Sequence, residues 1–566
     1  MMPSARRRFM LADPCLVAAG SHPLHFAAEV LAAAARAGCD CSLLANRSCA
    51  AGLHADVWPA RPTFTNTAYS KYTAAGGLDR LDARGRSGWL PWPPWESRHA
   101  ARRREERIAV FARELAPALA ELRSGDLFLL ATTSELEIAG LARAIAAARP
   151  VPEIAWHALL HFPLYRGFAA DHGRQDRRLD WARLLLQAAG AAVPGLRLHA
   201  TTAELAAQYV RLTGLPVDVL PYPIQRIDLQ AAVGPARERG VVRVSCLGDA
   251  RPEKGSHTLP AIVAAAAADP LLAGVRFTVQ TNIGFDARSR AAEHRAVVRA
   301  LEALGRQAAA GGPVDLVPGP LAGDAYARAL AVTDVMLLPY DQERYRVRCS
   351  GIVLEALASG AVPLVTGGGW MARQLAEPLR LHAATVTARA EVRYEQRIEA
   401  APLVGGRSMV VDVPADGQRP EAGRQEFVTV TIHWRPEAGV ADPPLRVACL
   451  SRDRHPATLL AADGGGLPDT AIFPGVAGGS GPWRVTIAAP WGGSAAVEAI
   501  VVRRLVGAGP VPAGAVGAVV AATDDVVPAL RELVRHVHHY RETAERQAAA
   551  VREAACGAAV IRRLLP

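Results

Sequence analysis

Val241-Val242-Arg243-Val244-Ser245-Cys246-Leu247-Gly248-Asp249-Ala250-Arg251-Pro252-Glu253-Lys254-Gly255 is the stretch on which the fold turns. Residues 241–247 form a short apolar run, as expected of a strand buried on both faces of a parallel sheet. Gly248 breaks it, and the segment to Gly255 leads into an alanine-rich helical stretch. Doubly wound α/β sheets bind ligands where a strand ends in such a turn and a helix begins. Glycine lets backbone approach an anion, helix N–H groups point toward it, and Arg251 and Lys254 add positive charge. Lys254 and Lys71 are the only lysines in the chain. In so arginine-biased a sequence, a compact ammonium raises the question of what a planar guanidinium cannot do there. Taken alone, the segment also reads as an ordinary turn with surface basic residues.

A second constellation changes that balance. Residues 335–339 read as a strand that ends at Tyr340; Tyr345, Arg348, Ser350 and Gly351 then lead into a helix over Gly351–Ser359, stopped by Gly360. The Ser350 hydroxyl and Gly351 amide suit a phosphate. Glu355, one turn in, is a charged acceptor suited to ribose or sugar hydroxyls. The plainer alternative is a capping serine and a solvated glutamate.

Outward from these segments the alternation continues. In the first part, residues 15–19 read as a strand breaking at Gly20-Ser21-His22-Pro23, and strands are expected at 41–44, 126–132, 154–160 and 197–200. Residues 61–107 read as irregular, with Trp89, Trp92 and Trp95 among prolines: an acceptor-binding or membrane-facing loop, or a helical connector. From about 386 to 507 the helical period disappears. Phe427-Val428-Thr429-Val430-Thr431-Ile432-His433-Trp434 alternates with period two, and glycine-rich turns separate similar runs. An all-β sandwich is expected there, inserted in the second α/β unit. Trp434, Trp483 and Trp491 suit either its core or, if exposed, stacking on sugar rings.

The expected fold class is therefore α/β, with a first unit over 1–230, a second over 231–385, the β module over 386–507, and the rest of the second unit with C-terminal helices over 508–566. Of 566 residues, 50% are hydrophobic and 21% charged, which excludes wholesale disorder. The net charge of +10 comes without a dense basic run, so nucleic acid is not an expected partner. The surplus suits anionic phosphates or peripheral association with an anionic membrane surface. Eight cysteines without regular spacing imply reduced thiols and a cytoplasmic chain. No run qualifies as membrane-spanning. The 16 histidines form no ligand set, His536, His538 and His539 reading as a mostly solvated helix face, and no metal is expected.

The two constellations, with Ser350-Gly351-Ile352-Val353-Leu354-Glu355-Ala356-Leu357-Ala358-Ser359-Gly360-Ala361-Val362-Pro363, resemble the donor half of GT-B glycosyltransferases of the retaining family 4 type. The resemblance covers about three-quarters of the chain, excludes the β module, and is looser in the first 230 residues, where it rests on Gly20-Ser21-His22 and His199-Ala200-Thr201-Thr202. It implies two Rossmann-like domains, no metal or other cofactor, a nucleotide-sugar donor and a glycan or lipid-linked acceptor. By the same resemblance Arg251 and Lys254 hold the donor diphosphate, Glu355 meets the nucleotide ribose, and Gly20, Ser21, Gly248, Tyr340, Arg348, Ser350 and Gly351 line the binding site. His157, expected just past a strand of the first unit, matches the active-site histidine, with His161 competing. Val347 departs from the pattern, standing where a first glutamate is expected. A catalytically inactive scaffold used for binding or assembly is the alternative.

Overall fold

The computed structural model describes residues 6–17, 22–49, 58, 60–68, 94–148, 152–166, 172–224, 240–286, 288–321, 323–399, 408–435, 445–450, 458–460, 468–475, 481–488, 496–514 and 516–565. Two units result: Met1–Tyr165 with Arg174–Arg226 and Glu553–Pro566, and Arg166–Gly173 with Ile227–Arg552.

The first unit holds seven strands, β1 (Arg8–Asp13), β2 (Asp40–Asn46), β3 (Ala60–Phe64), β4 (Leu127–Thr133), β5 (Ala155–Leu160), β6 (Arg197–Ala200) and β7 (Val217–Val219). They pair in parallel in the order β3-β2-β1-β4-β5-β6-β7. Its core includes Phe9, Leu11, Leu43 and Leu129, and Val560, Ile561 and Leu564 from the last helix, Gly557–Leu564, complete it. Only glycine fits at 557, because a Cβ there would lie 2.0 Å from the Glu29 carbonyl oxygen.

Two expectations fail here. The first strand is Arg8–Asp13, not 15–19. It starts on a charge because Asp126 accepts the Arg8 N–H at 2.8 Å, and it ends at Pro14. Residues 61–107 are not irregular throughout: β3 covers Ala60–Phe64 and a helix runs Pro94–Leu119. Trp89 and Trp92 lie outside the described residues.

The second unit opens with β8 (Val242–Cys246), β9 (Val275–Gln280), β10 (Val314–Val317), β11 (Val335–Leu338) and β12 (Val362–Thr366). After the helix Trp370–Ala388 come β13 (Glu391–Glu399), β14 (Ser408–Val413), β15 (Arg424–Arg435), β16 (Leu445–Leu450), β17 (Thr458–Leu460), β18 (Asp469–Pro474), β19 (Trp483–Ala488) and β20 (Ala496–Ala508). The chain then returns to the parallel sheet with β21 (Ala518–Val520), giving the order β10-β9-β8-β11-β12-β21. The fold class is thus as expected: α/β, with two Rossmann-like parallel sheets and an inserted all-β module.

The module is a pair of antiparallel four-stranded sheets, β13-β20-β15-β18 and β14-β19-β16-β17. Alternating residues from both sheets, among them Val428, Val430, Ile432, Val447, Val485 and Val502, build one core. Trp434 and Trp483 belong to it, and the Trp434 indole N–H donates to Asp469 at 2.9 Å. Stacking on a sugar is therefore ruled out for these two; Trp491 lies outside the described residues. An Arg380–Asp469 ion pair at 2.7 Å and a cluster of Ala383, Phe427, Ile472, Leu505 and Val511 join the module to the helix Trp370–Ala388. No described helix is both long and apolar enough to cross a membrane.

Candidate functional site

In the second sheet, β8 and β11 are neighbours, but the chain moves from β8 outward to β9 and from β11 outward to β12. The two loops after these strands therefore diverge at their carboxyl ends and leave a crevice, the switch point where ligands settle on open α/β sheets. Residues 247–255 and 339–350 are those loops. Both sequence constellations thus meet at one end of one sheet.

Close backbone contact locks them together. Gly255, at φ +71°, lies so near the other loop that a Cβ would stand 2.0 Å from the Pro339 carbonyl oxygen. The Asp341 N–H donates to the Glu253 carbonyl at 2.9 Å. Gly248, at φ +94°, has its N–H held by Gln280 at 2.7 Å, and a Cβ there would be 2.8 Å from Lys254 Nζ and 2.7 Å from Ile352 Cδ1. Only glycine fits this conformation and this space. Segment 248–255 does not run straight into an α-helix, as the sequence suggests. Two 3₁₀ turns, Pro252–Lys254 and Ser256–Thr258, intervene before Leu259–Ala267, because Gly255 takes a left-handed conformation. The helix N-terminus at the site is instead Gly351–Ser359, whose N-cap Ser350 makes no side-chain cap bond. Its first amides are thus open to an anion.

Lys254 is 8% exposed, and its ammonium has no ion pair or hydrogen bond among the described residues; the Tyr340 ring lies 6.0 Å away. Burial, with Arg251 nearby, pushes its pKa down to about 7, against the pull of Asp249, Glu253 and Glu355. Arg251 pairs with Glu253 at 3.4 Å and faces Tyr345, Tyr340 and Asp249; burial disfavours its charge, but these neighbours outweigh it and hold the pKa above the ordinary value. The Tyr340 and Tyr345 rings meet tilted at 58°, 4.5 Å between centroids, and Arg348 stands half-buried beside Tyr345. Val347 is buried, so the position expected to carry a sugar-binding glutamate is apolar.

Glu355 is not the solvated glutamate of the plainer alternative. It is 4% exposed, burial raises its pKa, and the Tyr326 hydroxyl donates to it. Tyr326 was not legible as a site residue, because it lies on another helix, Gly323–Ala331, with no motif around it. Gly367-Gly368-Gly369, ending β12 and preceding the helix Trp370–Ala388, was also missed. A triple glycine at a strand end is a signal that could have found it: a Cβ on Gly369 would be 2.8 Å from the Tyr345 carbonyl.

In the first unit, His157 lies within β5, not beyond it. It is 1% exposed, its Nδ1 is 2.9 Å from His199 Nε2, and it also bonds the Leu564 backbone. Burial, then His199 and Arg197, push its pKa down to about 3, so both imidazoles are neutral at physiological pH. His161 is the histidine that stands just past the strand; burial lowers its pKa to about 4, and its ring meets Tyr222 edge-on at 5.9 Å. Gly20 and Ser21 lie outside the described residues. His538 and His539 are exposed, as the mostly solvated reading of that face expects, while His536 is buried with its Nε2 3.6 Å from Glu532. No group of His, Cys, Asp or Glu suited to a metal occurs among the described residues.

The sequence matches no protein-family model and no curated protein. Among solved structures the chain is similar to a trehalose-6-phosphate synthase, with a TM-score of 0.47 and 13% identity over 65% of this chain and 86% of that one. It is similar to a UDP-forming α,α-trehalose-phosphate synthase from Burkholderia xenovorans, with a TM-score of 0.45 and 13% identity over 66% and 86%. It is also similar to the sucrose-phosphate synthase from Thermosynechococcus elongatus, with a TM-score of 0.40 and 16% identity over 66% and 84%.

Proposed function

We propose that the protein is a glycosyltransferase of the GT-B type that moves a sugar from a nucleotide-sugar donor to a hydroxyl of a glycan or lipid-linked acceptor. The observation that carries this reading is the buried Lys254 ammonium, unpaired among the described residues, beside Arg251 and the open amides of Gly351–Ser359. Burying a cation without a partner is costly, so such an arrangement is maintained for an anion that arrives. Two cations and a helix N-terminus at a switch point suit a diphosphate better than a single carboxylate.

In the proposed reaction the bond between the sugar's anomeric carbon and the diphosphate oxygen breaks. A bond from that carbon to the acceptor oxygen forms, the acceptor proton leaves to a base, and a nucleoside diphosphate departs. Negative charge grows on the leaving oxygen, and Lys254, Arg251 and the Gly351 amide stabilise it without calling on a metal. Gly248, Tyr340, Arg348 and Ser350 shape the surrounding loops. Among the first unit's histidines we assign the acceptor side to His161, because His157 is spent on His199 and the Leu564 backbone. Retention of anomeric configuration, membership of family 4, a cytoplasmic setting and peripheral contact with an anionic membrane belong to the same proposal.

The test is a panel of nucleotide sugars incubated with the protein and read by released nucleoside diphosphate. Slow hydrolysis of one donor, abolished in Lys254→Ala, is expected. The buried Val347 favours a second reading, an inactive scaffold, since it takes away the expected sugar carboxylate. Nucleoside diphosphate binding with no hydrolysis or transfer for any donor would decide for it.

A further inference from the structure

The crevice has a third wall that no motif announces. Strands β8 and β9 pair from Val242–Val275 to Cys246–Val279, and a single parallel bridge between Ala250 and Ile283 resumes the pairing beyond the Gly248 turn. At that bridge the Ala250 N–H donates to the Asn282 carbonyl at 2.7 Å and the Gly284 N–H to the Ala250 carbonyl at 3.3 Å. A backbone N–H that leaves a ladder needs another acceptor. Gln280, 5% exposed, supplies it, its Oε1 taking the Gly248 N–H at 2.7 Å. Gln280 Nε2 in turn donates to Asn282 Oδ1 at 2.6 Å, and Asn282 Nδ2 donates to Asp249 Oδ1 at 2.5 Å. Two amide side chains, each accepting at one end and donating at the other, thus tie both ends of the Gly248-Asp249 turn to the end of β9. Thr281 fastens the segment on its far side, its N–H and hydroxyl donating to the Val317 carbonyl at 3.0 and 3.2 Å.

Gly284 adds a contact with Arg251. A Cβ there would lie 2.8 Å from Asp249 Cβ, 2.9 Å from Arg251 Cδ and 3.0 Å from Arg251 Cγ, so the arginine stem rests on bare backbone. Gly284 is not left-handed; space, not conformation, calls for glycine here. The buried Arg251 Nε has no hydrogen bond in the described structure.

We propose that Gln280–Gly284 is a positioning segment for the anion site: Gln280 and Asn282 set the Gly248-Asp249 turn, and Gly284 seats the Arg251 stem so that its guanidinium is held ready for a diphosphate. The purpose of the segment rests on the donor-site reading. Gln280 lines the same crevice as Gly248, Asp249, Lys254 and Tyr340, yet both ends of its amide are spent on the protein. It therefore shapes the crevice and leaves ligand contact to its neighbours.

Two substitutions test the two halves. Gly284→Ala presses on the arginine stem, the flexible part that can give way. It should weaken binding of inorganic pyrophosphate about tenfold by calorimetry, as loss of one charge-assisted hydrogen bond does. In an Arg251→Ala background the same change should cost about twofold or less, because the stem is gone. Losses that multiply, or wild-type affinity in Gly284→Ala, overturn the seating of Arg251. If Gly284→Ala fails to fold alone but folds together with Arg251→Ala, the stem is what the methyl meets; failure of both overturns that half. Gln280→Met, close in length and apolar, should speed hydrogen exchange of the amides in 248–251 about tenfold or more, with β8 exchanging as in wild type. Where that variant does not fold, Asn282→Ala should speed the same amides by less. Unchanged exchange in the folded variant overturns the role of the two amides. If the wild type binds neither pyrophosphate nor uridine or adenosine diphosphate, the donor-site reading fails, while exchange still decides whether Gln280 holds the turn.

Discussion

The two parallel sheets share one strand order through their first six strands, yet their switch points are chemically opposite. At the first, between the ends of β1 and β4, the buried Asp13 accepts the Cys15 N–H at 2.8 Å and the Thr132 hydroxyl at 2.9 Å. Nearby, Ser134 and Glu137 form a reciprocal capping box at the start of the helix Glu135–Ala147. Asp13 is thus answered by Cys15 and Thr132, and Ser134 by Glu137. At the second switch point Lys254 and the Gly351 amides are left over. Topology supplies a crevice in both places; only unspent hydrogen-bonding and charge make one of them a candidate for anion chemistry.

Substitution of Lys254 is the most forceful way to break that contrast. Lys254→Ala should lower turnover by about 10²–10³, the usual effect of removing one transition-state charge donor, and leave the melting temperature unchanged or raised. Lys254→Arg should also be impaired, since the space beside Gly248 is too close for a larger planar head. Near-normal turnover in Lys254→Ala would dissolve the distinction between the two crevices. Trp434→Ala should cost about 3–5 kcal/mol in a denaturant melt, because Trp434 packs in the β module's core. A nearly neutral result would return this tryptophan to the surface. Among the histidines, His161→Ala is expected to reduce transfer with little change in stability, whereas His157→Ala should destabilise the first unit. Equal activity losses with no change in melting would contradict that division.

The finest distinction concerns pH. Asp13 is raised by burial to about 7 from 3.8, so between those values the native state holds a proton that the unfolded chain releases. Stability should therefore fall as pH rises from about 4 to 7 through this group, and Asp13→Asn should flatten that slope. Lys254 is lowered from 10.5 to about 7, so the unfolded chain binds the extra proton between these values. Its contribution should make stability rise from about pH 7 to 10, a gain that Lys254→Met removes. Melting curves across pH for wild type and both variants measure the two opposite slopes.

Legibility followed the physics of each region. Strands 242–246, 335–338 and 362–366 were readable because a parallel strand buried on both faces is a mainly apolar run, here with glycine or proline close to its ends. The β module was readable through its period-two alternation and turns. Asp13 and Pro14 drew attention away from Arg8–Asp13, since a charged start and a buried acid resemble a break. At the site, Gly248, Arg251 and Lys254 were visible because they are local in sequence. Tyr326 and Gln280 were not, because their roles exist only once distant loops are brought together. His157 was placed past β5 for a related reason: sequence does not distinguish a histidine ending a strand from one paired inside a core.

The helix Gly557–Leu564 has a consequence for how this protein is made. Its side chains Val560, Ile561 and Leu564 complete a core whose other members begin at Phe9. A ribosome delivers the first unit's seven strands long before it delivers that helix, and Ile227–Arg552 of the second unit is synthesised in between. The nascent N-terminal part must wait with part of its apolar face uncovered, which exposes it to aggregation or chaperone capture. Removing the segment after Glu553 should thus harm the part of the chain translated first, and a circularly permuted gene encoding that helix ahead of Arg8 should shorten the wait.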